Sequence, residues 1–454
     1  MLASLFAAPA DDRPPQASGR RADRVAAAWG LSAAMSVQPR AGCAKLRTVI
    51  AQESTLAANQ AAFACAPPWT EAGVHAMSPR ATHDEIARFN FLANLNKYLA
   101  NAVVGGNRLA YERRAKPRFE REHAHAPRDR REVRAAMAED AYYQMWSSIR
   151  RNAMEMRQQA GRSLVLRQAA ELRDRARALN ANAASLVLDA SVPVPRYQSA
   201  VDNHCMPGSY YTELMRDDVS AAANYDAGMF ATTTGLFGRY LDGAGRGIVD
   251  WLANVHRNFA PRRVLDLGCG LGHNTVPLAQ AFPRAQVIGV DVAAPMLRYG
   301  HARACGMGVT NLEFRQASAE SLAFPESHFD LIVSTMFLHE TSYRALRNIL
   351  RECSRLLARG GIQLHLEQPP YRSMDIFEQF MRDWDCYNNN EPFWTTVHDT
   401  DMMALMAECG CADDRRFETE IHAIVDLAMP KVSESKEDFG RGGMWYAFGA
   451  VRAA

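Results

Sequence analysis

The residues best spaced for chemistry lie between Arg263 and Asp291. Val264, Leu265 and Leu267 form an apolar run of the kind buried in a parallel sheet, and Gly268, Gly270 and Gly272 break it. Glycines between a strand and a helix start let the backbone approach a ligand with no Cβ in the way. Nineteen residues past Gly272, the apolar run Val287-Ile288-Gly289-Val290 ends in Asp291. An acid at the tip of a second strand can accept both hydroxyls of a ribose. The glycine spacing is Gly-x-Gly-x-Gly, and His273 stands where the last glycine of a pyrophosphate fingerprint belongs. The chemistry implied is recognition of a nucleoside without phosphates, not of a dinucleotide.

The alternation that positions these residues continues downstream. Leu312-Glu-Phe-Arg, Leu331-Ile-Val-Ser and Ile362-Gln-Leu-His-Leu read as strands, with a helix over Tyr343 to Leu357. Trp445 to Val451 reads as the last strand and Ala423 to Ala428 as its antiparallel neighbour. This is a doubly wound α/β pattern, in which ligands sit beyond the carboxyl ends of the strands. Asp266 and the three glycines end strand one, and Asp291 ends strand two. Ser318, Ala319 and Glu320 follow strand three, and Thr335 and Met336 end strand four, where they would line the ligand. Glu367 ends strand five, where a carboxylate can orient an amine or hydroxyl.

Asp266-Leu-Gly-Cys-Gly-Leu-Gly272 resembles the first motif of the class I S-adenosylmethionine-dependent methyltransferases, and Asp291 stands where their second-strand acid does. The resemblance continues through Ala319-Glu320-Ser-Leu-Ala-Phe324, Phe329 to Thr335 and Leu356-Leu-Ala-Arg-Gly-Gly361, which look like the small-molecule, ubiquinone/menaquinone-biosynthesis-like branch. It implies a Rossmann-like, mostly parallel seven-stranded sheet and S-adenosyl-L-methionine as cofactor. The implied cofactor residues are Tyr225, Asp266, Gly268, Gly270, Gly272, Asp291, Ser318, Ala319, Glu320, Thr335 and Met336. Tyr225 enters because helices ahead of the first motif often supply a tyrosine to the cofactor. Ser318 holds a position that is commonly an aspartate bonding the adenine amino group, so that contact is reduced to a hydroxyl.

The resemblance puts His339 near the methyl group. With an ordinary pKa of about 6.5 it is the natural general base, beside the alternative that it merely starts a helix. Glu340 reads as an acid at a helix N-terminus. His339 and Glu367 are the catalytic candidates. Gln368-Pro-Pro-Tyr371 echoes a turn of amino methyltransferases, but it follows the fifth strand and not the fourth, so it reads as a loop with Tyr371 open to substrate. Trp384, Tyr387, Phe393 and Trp394 suit either a lid or packing.

Composition limits the alternatives. A formal charge of +2 over 454 residues implies neither nucleic-acid nor membrane-surface binding by the whole chain. The nine cysteines include no zinc-like pair, since Cys409-Gly-Cys411 is too tight, so no metal site is expected and the thiols read as reduced in a cytoplasmic protein. No apolar run reaches the roughly 20 residues of a membrane span.

Residues 1–80, rich in Ala, Arg and Pro, read as disordered or loosely ordered, with Met35 and Met77 as alternative starts. Residues 81–200 read as a helical appendage, and 201–454 as the methyltransferase domain. In the appendage, Ile86, Phe89, Leu92, Leu95, Leu99 and Val103 fall at helical spacing before Gly105-Gly106 stops the run. Tyr142, Met145, Trp146, Ile149, Ala153 and Met156 mark the core face of a second helix, and a third spans Leu164 to Leu188. Between them, Arg108 to Arg134 holds ten Lys/Arg against five Asp/Glu, a basic arm or a solvated linker.

The function expected is methyl transfer to a small organic acceptor at oxygen or carbon, by positioning and in-line displacement, with the helical region as a candidate homodimer contact. The rivals are a nucleic-acid methyltransferase using 108–134 and a non-catalytic S-adenosylmethionine-binding interaction protein. A nicotinamide oxidoreductase is disfavoured because no Tyr-x-x-x-Lys pair follows the glycines.

Overall fold

The apolar runs at 264, 287, 331 and 362 become the interior of one sheet. The structure, a computed structural model, describes residues 65–181, 184–412, 414–427 and 444–453. Its strands are β1 (Leu186–Val187), β2 (Arg263–Leu267), β3 (Gln286–Asp291), β4 (Leu312–Gln316), β5 (Phe329–Thr335), β6 (Leu357–Glu367), β7 (Arg415–His422) and β8 (Met444–Val451). They lie in the order β1-β4-β3-β2-β5-β6-β8-β7. The first six are parallel, and β8 runs antiparallel to both β6 and β7. From β2 the chain steps outward through β3 and β4, then returns to the other side of β2 as β5. The carboxyl ends of β2 and β5 therefore face a crevice that no connection crosses.

Helices cover both faces of the sheet, which is why its central strands are apolar without alternation. In chain order they include α1 (His83–Tyr98), α2 (Ala141–Leu166), α3 (Ala169–Asn180), α4 (Ser220–Thr232), α5 (Gly243–Val255), α6 (Thr275–Ala281), α7 (Ala294–Gly306), α8 (Tyr343–Leu356), α9 (Ile376–Arg382) and α10 (Trp384–Asn388). In α8, the Ser342 hydroxyl caps the first turn by accepting from the Ala345 N–H. Leu346, Ile349, Leu350, Cys353 and Leu356 then bury one stripe against Leu265, Leu267 and Ile332 of the sheet. The opposite face packs Ile248 and Leu252 of α5, Val276 of α6 and Leu297 of α7 on Val264, Val287 and Leu331.

Several sequence expectations change here. The sheet has eight strands rather than seven, because Leu186 and Val187 leave the expected third helix and pair with Phe314 and Arg315. This short strand covers the otherwise open edge of β4. The neighbour of β8 is the charged run Arg415–His422 and not 423–428. Edge strands tolerate charge on their outer side, which hid this one from a reading by hydrophobicity. Ala428 lies outside the described residues.

Gly105-Gly106 does not stop the first helical run, since helical turns continue to His123. A Cβ on Gly106 would come within 2.2 Å of Tyr142, so this glycine serves close packing. On α2 the buried face is Tyr143, Trp146, Arg150, Ala153 and Arg157, while Met145, Ile149 and Met156 are exposed. The arginines point inward because partners await them, which composition cannot show.

Residues 1–64 lie outside the described residues, but 65–80 have defined places. Trp69 stacks on Phe89 with ring centroids 5.0 Å apart, and its indole N–H donates to the Ala227 carbonyl. Met77 is fully buried. The helical region does not stand apart either, since all described residues fall in one compact unit. Buried Gln158 of α2 accepts from Asn224 of α4 at 2.8 Å. Asn180 of α3 lies 2.8 Å from His301 of α7. Trp146 packs edge-on against Trp384, whose indole N–H donates to Ser147.

Several arginines of the basic segment are paired within the chain. Arg108 meets Asp375 at 2.8 Å, Arg114 meets Asp140 at 2.9 Å, and Arg130 meets Asp383 at 3.0 Å. Charges spent this way weaken the reading of an arm for nucleic acid. No helix among the described residues is long and apolar enough to cross a membrane.

Arg150 and Asp385, 3.2 Å apart and both buried, join α2 to α10. Arg150→Met would leave the Asp385 charge uncompensated in the interior, at an expected cost of about 3–5 kcal/mol. Pairing it with Asp385→Leu should recover most of that loss. Thermal unfolding followed by circular dichroism measures both; a single variant as stable as the wild type would contradict this assignment.

Candidate functional site

The site is built where β2, β3 and β5 end. After Leu267 the chain turns through three glycines, all at positive φ. At Gly272 a Cβ would stand 2.7 Å from the Phe314 ring, so the turn can lie on β4 only without a side chain. At Gly270, φ is 52° and a Cβ would meet nothing within 4 Å, because this residue borders open space. The Asp291 carboxylate holds the turn from the next strand, accepting from the Gly270 N–H at 3.0 Å and the Ala293 N–H at 2.8 Å. Burial outweighs these bonds and pushes its pKa up to about 6.

The other end of the glycine turn is clipped to the helices. His273 Nε2 lies 2.8 Å from Asp226 Oδ1, while Asp226 Oδ2 faces His75 at 2.9 Å and accepts from the Tyr299 hydroxyl at 2.7 Å. Burial opposes the Asp226 charge, yet the two histidines outweigh it and hold the carboxyl well below its usual range. Tyr225, one residue earlier on α4, stacks on the His273 ring with centroids 6.2 Å apart.

These elements line a partly open cavity at the carboxyl ends of β2, β3 and β5. Of the expected cofactor residues, Tyr225, Gly268, Gly270, Asp291, Ser318, Ala319, Thr335 and Met336 line it. Asp266, Gly272 and Glu320 do not. Asp266 sits behind the turn, accepting from the Thr275 hydroxyl at 2.5 Å, and burial raises its pKa to about 7. Glu320 is committed to the Tyr197 hydroxyl and the Asn348 amide, at 3.1 and 2.9 Å.

The two catalytic candidates are brought together, but away from the cavity. Glu367 Oε1 accepts from the Phe337 and Leu338 N–H groups at 3.0 and 2.7 Å, and Oε2 lies 2.7 Å from His339 Nδ1. Both side chains are buried, and Trp394 packs edge-on against the His339 ring. Burial alone would lower the His339 pKa, but Glu367 overrides it and raises it to about 9. A carboxylate that favours the charged form of the ring makes it a poor proton acceptor. The pair braces the turn after β5 and stands outside the cavity lining.

Tyr371 is also turned inward, donating to Asp383 and stacked on His398. Trp384 and Trp394 are packing residues, whereas Tyr387 is exposed under the Arg134 guanidinium.

The wall residues that sequence reasoning passed over come mostly from outside the strand ends. Tyr197, Gln198 and Tyr210 reach the cavity from the segment before α4, and Trp445 from β8. Glu340 is not a helix-start acid but part of the wall. It accepts from the Tyr210 hydroxyl at 2.8 Å and from Gln198 Nε2 at 3.2 Å. His204 Nε2 lies 3.4 Å from its Oε1. The Tyr210-Tyr211 pair was a visible signal for this wall, while Gln198 and His204 left none.

Part of the chain is similar to known proteins. Residues 264–361 match a family described as a methyltransferase domain. The demethylmenaquinone methyltransferase of Thermus thermophilus is 36% identical over 111 residues, which is 24% of this chain and 49% of that protein. The ubiquinone/menaquinone biosynthesis C-methyltransferase UbiE of Pseudomonas savastanoi is 38% identical over 107 residues, 23% of this chain and 41% of that protein. The chain thus spans about half the length of these curated relatives or less. Among solved structures, the YcgJ protein of Bacillus subtilis aligns over 45% of this chain and 98% of its own, with 21% identity and a TM-score of 0.31.

Two outcomes follow from the geometry. Gly270→Ala adds a methyl group at positive φ, which costs about 1–2 kcal/mol, and it projects into the cavity. Affinity for S-adenosylhomocysteine should fall about tenfold or more while the protein stays folded; unchanged affinity in calorimetry would refute the cradle. The second concerns His339, whose pKa rises on folding from 6.5 to about 9. Its contribution to stability is full below pH 6.5 and is lost as pH rises through 9. His339→Gln should flatten the fall in melting temperature over that window, and a profile that keeps its slope would contradict the pairing.

Proposed function

This chain belongs, through the region around residues 264–361, to the class I S-adenosylmethionine-dependent methyltransferases, and on that premise we propose that it methylates a small organic acceptor at oxygen or carbon. One observation carries the cofactor's place. In the cavity wall, Gly270 borders open space and its N–H is held by the Asp291 carboxylate at the end of the next strand. A glycine turn open to the cavity beside a second-strand carboxylate is the arrangement that a nucleoside requires.

S-adenosylmethionine supplies an electrophilic methyl group on its sulfonium. The protein's share is to bind, orient and exclude water. Asp291, held by two backbone N–H groups, keeps outward lone pairs for ribose hydroxyls, and Ser318 and Ala319 flank the base. Tyr225 and Tyr210 close the side toward the helices, their rings 5.6 Å apart. With His339 bound to Glu367, the carboxylate left to face an acceptor is Glu340, and a hydroxyl there would donate to it.

Relatives with partial matches act on chemically varied acceptors. The trans-aconitate 2-methyltransferase of Methylobacterium nodulans, 35% identical over 141 residues, is named for an acid, while the two above are named for quinone biosynthesis. Small-molecule acceptors are common to all three names. The functional unit in this proposal includes residues 65–200 as well as 201–454, because His75, Tyr197 and Gln198 help to build the site. A cytoplasmic setting also belongs to it: the described cysteines are all unpaired thiols.

Calorimetry with S-adenosylmethionine and S-adenosylhomocysteine tests the core of the proposal. Both should bind the intact protein at micromolar levels, NADH should not, and Asp291→Ala should abolish the binding. Absence of binding to either sulfur nucleoside would end the enzyme reading. A dimer through the helical region is proposed on the exposed stripe Met145, Ile149 and Met156. Sedimentation velocity of the full chain decides it, since a monomer at working concentration excludes that contact.

A further inference from the structure

Beyond the cofactor end of the cavity, three side chains from distant segments converge. His204 stands in the turn Asn203–Cys205, Glu340 closes the turn Leu338–Glu340 after β5, and Glu391 follows α10. One ligand atom from each lies within 4.8 Å of the other two. His204 Nε2 is 3.4 Å from Glu340 Oε1, and its Nδ1 is 2.7 Å from Glu391 Oε1.

Glu391 carries the argument. Its side chain is 1% exposed, yet Oε1 takes no hydrogen bond, because no N–H is aligned on it despite the short approach. An oxygen this deeply buried with no donor aligned on it has lone pairs free for an ion. Charge points the same way. Among the described residues, neither Glu340 nor Glu391 has a lysine or arginine ion-pair partner. A divalent cation with a neutral imidazole balances both.

We propose that His204, Glu340 and Glu391 bind a divalent cation of the Mn²⁺-to-Zn²⁺ series at the acceptor end of the cavity. One imidazole nitrogen with two carboxylates suits these ions, whereas thiolate-seeking Cu(I) finds no ligand in the set. Three protein ligands leave coordination positions open, and one of the three, Glu340, also lines the cavity beside Tyr210. An open position takes an oxygen of the methyl acceptor, which makes the acceptor a hydroxy or carboxy compound. This last step rests on the methyltransferase reading; the ion site itself does not.

The test uses the full chain, stripped of metal by dialysis against a chelator and titrated with MnCl₂. Mn²⁺ is the probe because it ignores isolated thiols, and calorimetry together with its electron paramagnetic resonance signal reports uptake. One Mn²⁺ per chain is expected, weakened about tenfold or more in Glu391→Gln and in His204→Gln. Circular dichroism identifies any variant that fails to fold, in which case the other carries the comparison. No stoichiometric uptake by the wild type, or unchanged uptake by a folded variant, overturns the site. S-adenosylhomocysteine is titrated in the same samples. Nucleoside binding without Mn²⁺ uptake removes the ion site alone, and Mn²⁺ uptake without nucleoside binding removes the cofactor reading and leaves the ion site in place.

Discussion

One buried carboxylate holds together parts of the chain that nothing else connects so directly. Asp226 meets His75 from the N-terminal segment, His273 from the glycine turn and Tyr299 from α7. A carboxylate in the interior is tolerable only when its charge is matched and its lone pairs are used, and each of these three partners serves that need. The arrangement has a consequence for the cavity. Because Asp226 follows Tyr225 on α4, the bonds that neutralise it also set the tyrosine ring over His273. Cofactor turn, cover helix and N-terminal segment are therefore one mechanical unit.

The same economy explains the turn after β5. Glu367, at the end of β6, takes two backbone N–H groups and the His339 ring, so the backbone at Phe337 and Leu338 is held by a neighbouring strand. That bracing positions Thr335, Met336 and Glu340 along the cavity wall. Residues that look reactive by type thus serve as scaffolding, while Glu340, which looked like a helix-start acid, faces the open space. The helical region contributes through its own buried ion pair, Arg150 with Asp385, and through the Gln158–Asn224 bond that seats α4.

Much of the α/β half was legible because its signals are local. Strand periodicity around 264, 287 and 331, the glycine spacing and the acid at 291 each depend on a few adjacent residues. What escaped reading depends on partners far away in sequence. The burial of Arg150 and Arg157 on α2 follows from Asp385 and Thr232 being there to receive them. The strand at Arg415–His422 is charged because it is an edge, and Leu186–Val187 is a strand only because β4 offers one. His339 has the type and place of a base, and only the carboxylate at 367 reveals it as a cation.

By itself, then, the sequence determined the fold class, the positions of the central strands along the chain and the turn where a nucleoside can lie. Those follow from side-chain periodicity and from the conformational freedom of glycine, properties a short segment carries alone. Tertiary structure decided which polar side chains face the cavity and which are spent in the interior. It also decided that the helical region is part of the site wall. The charge and hydrogen-bonding state of a buried group depends on its neighbours in space, and those neighbours come from segments that only folding brings together.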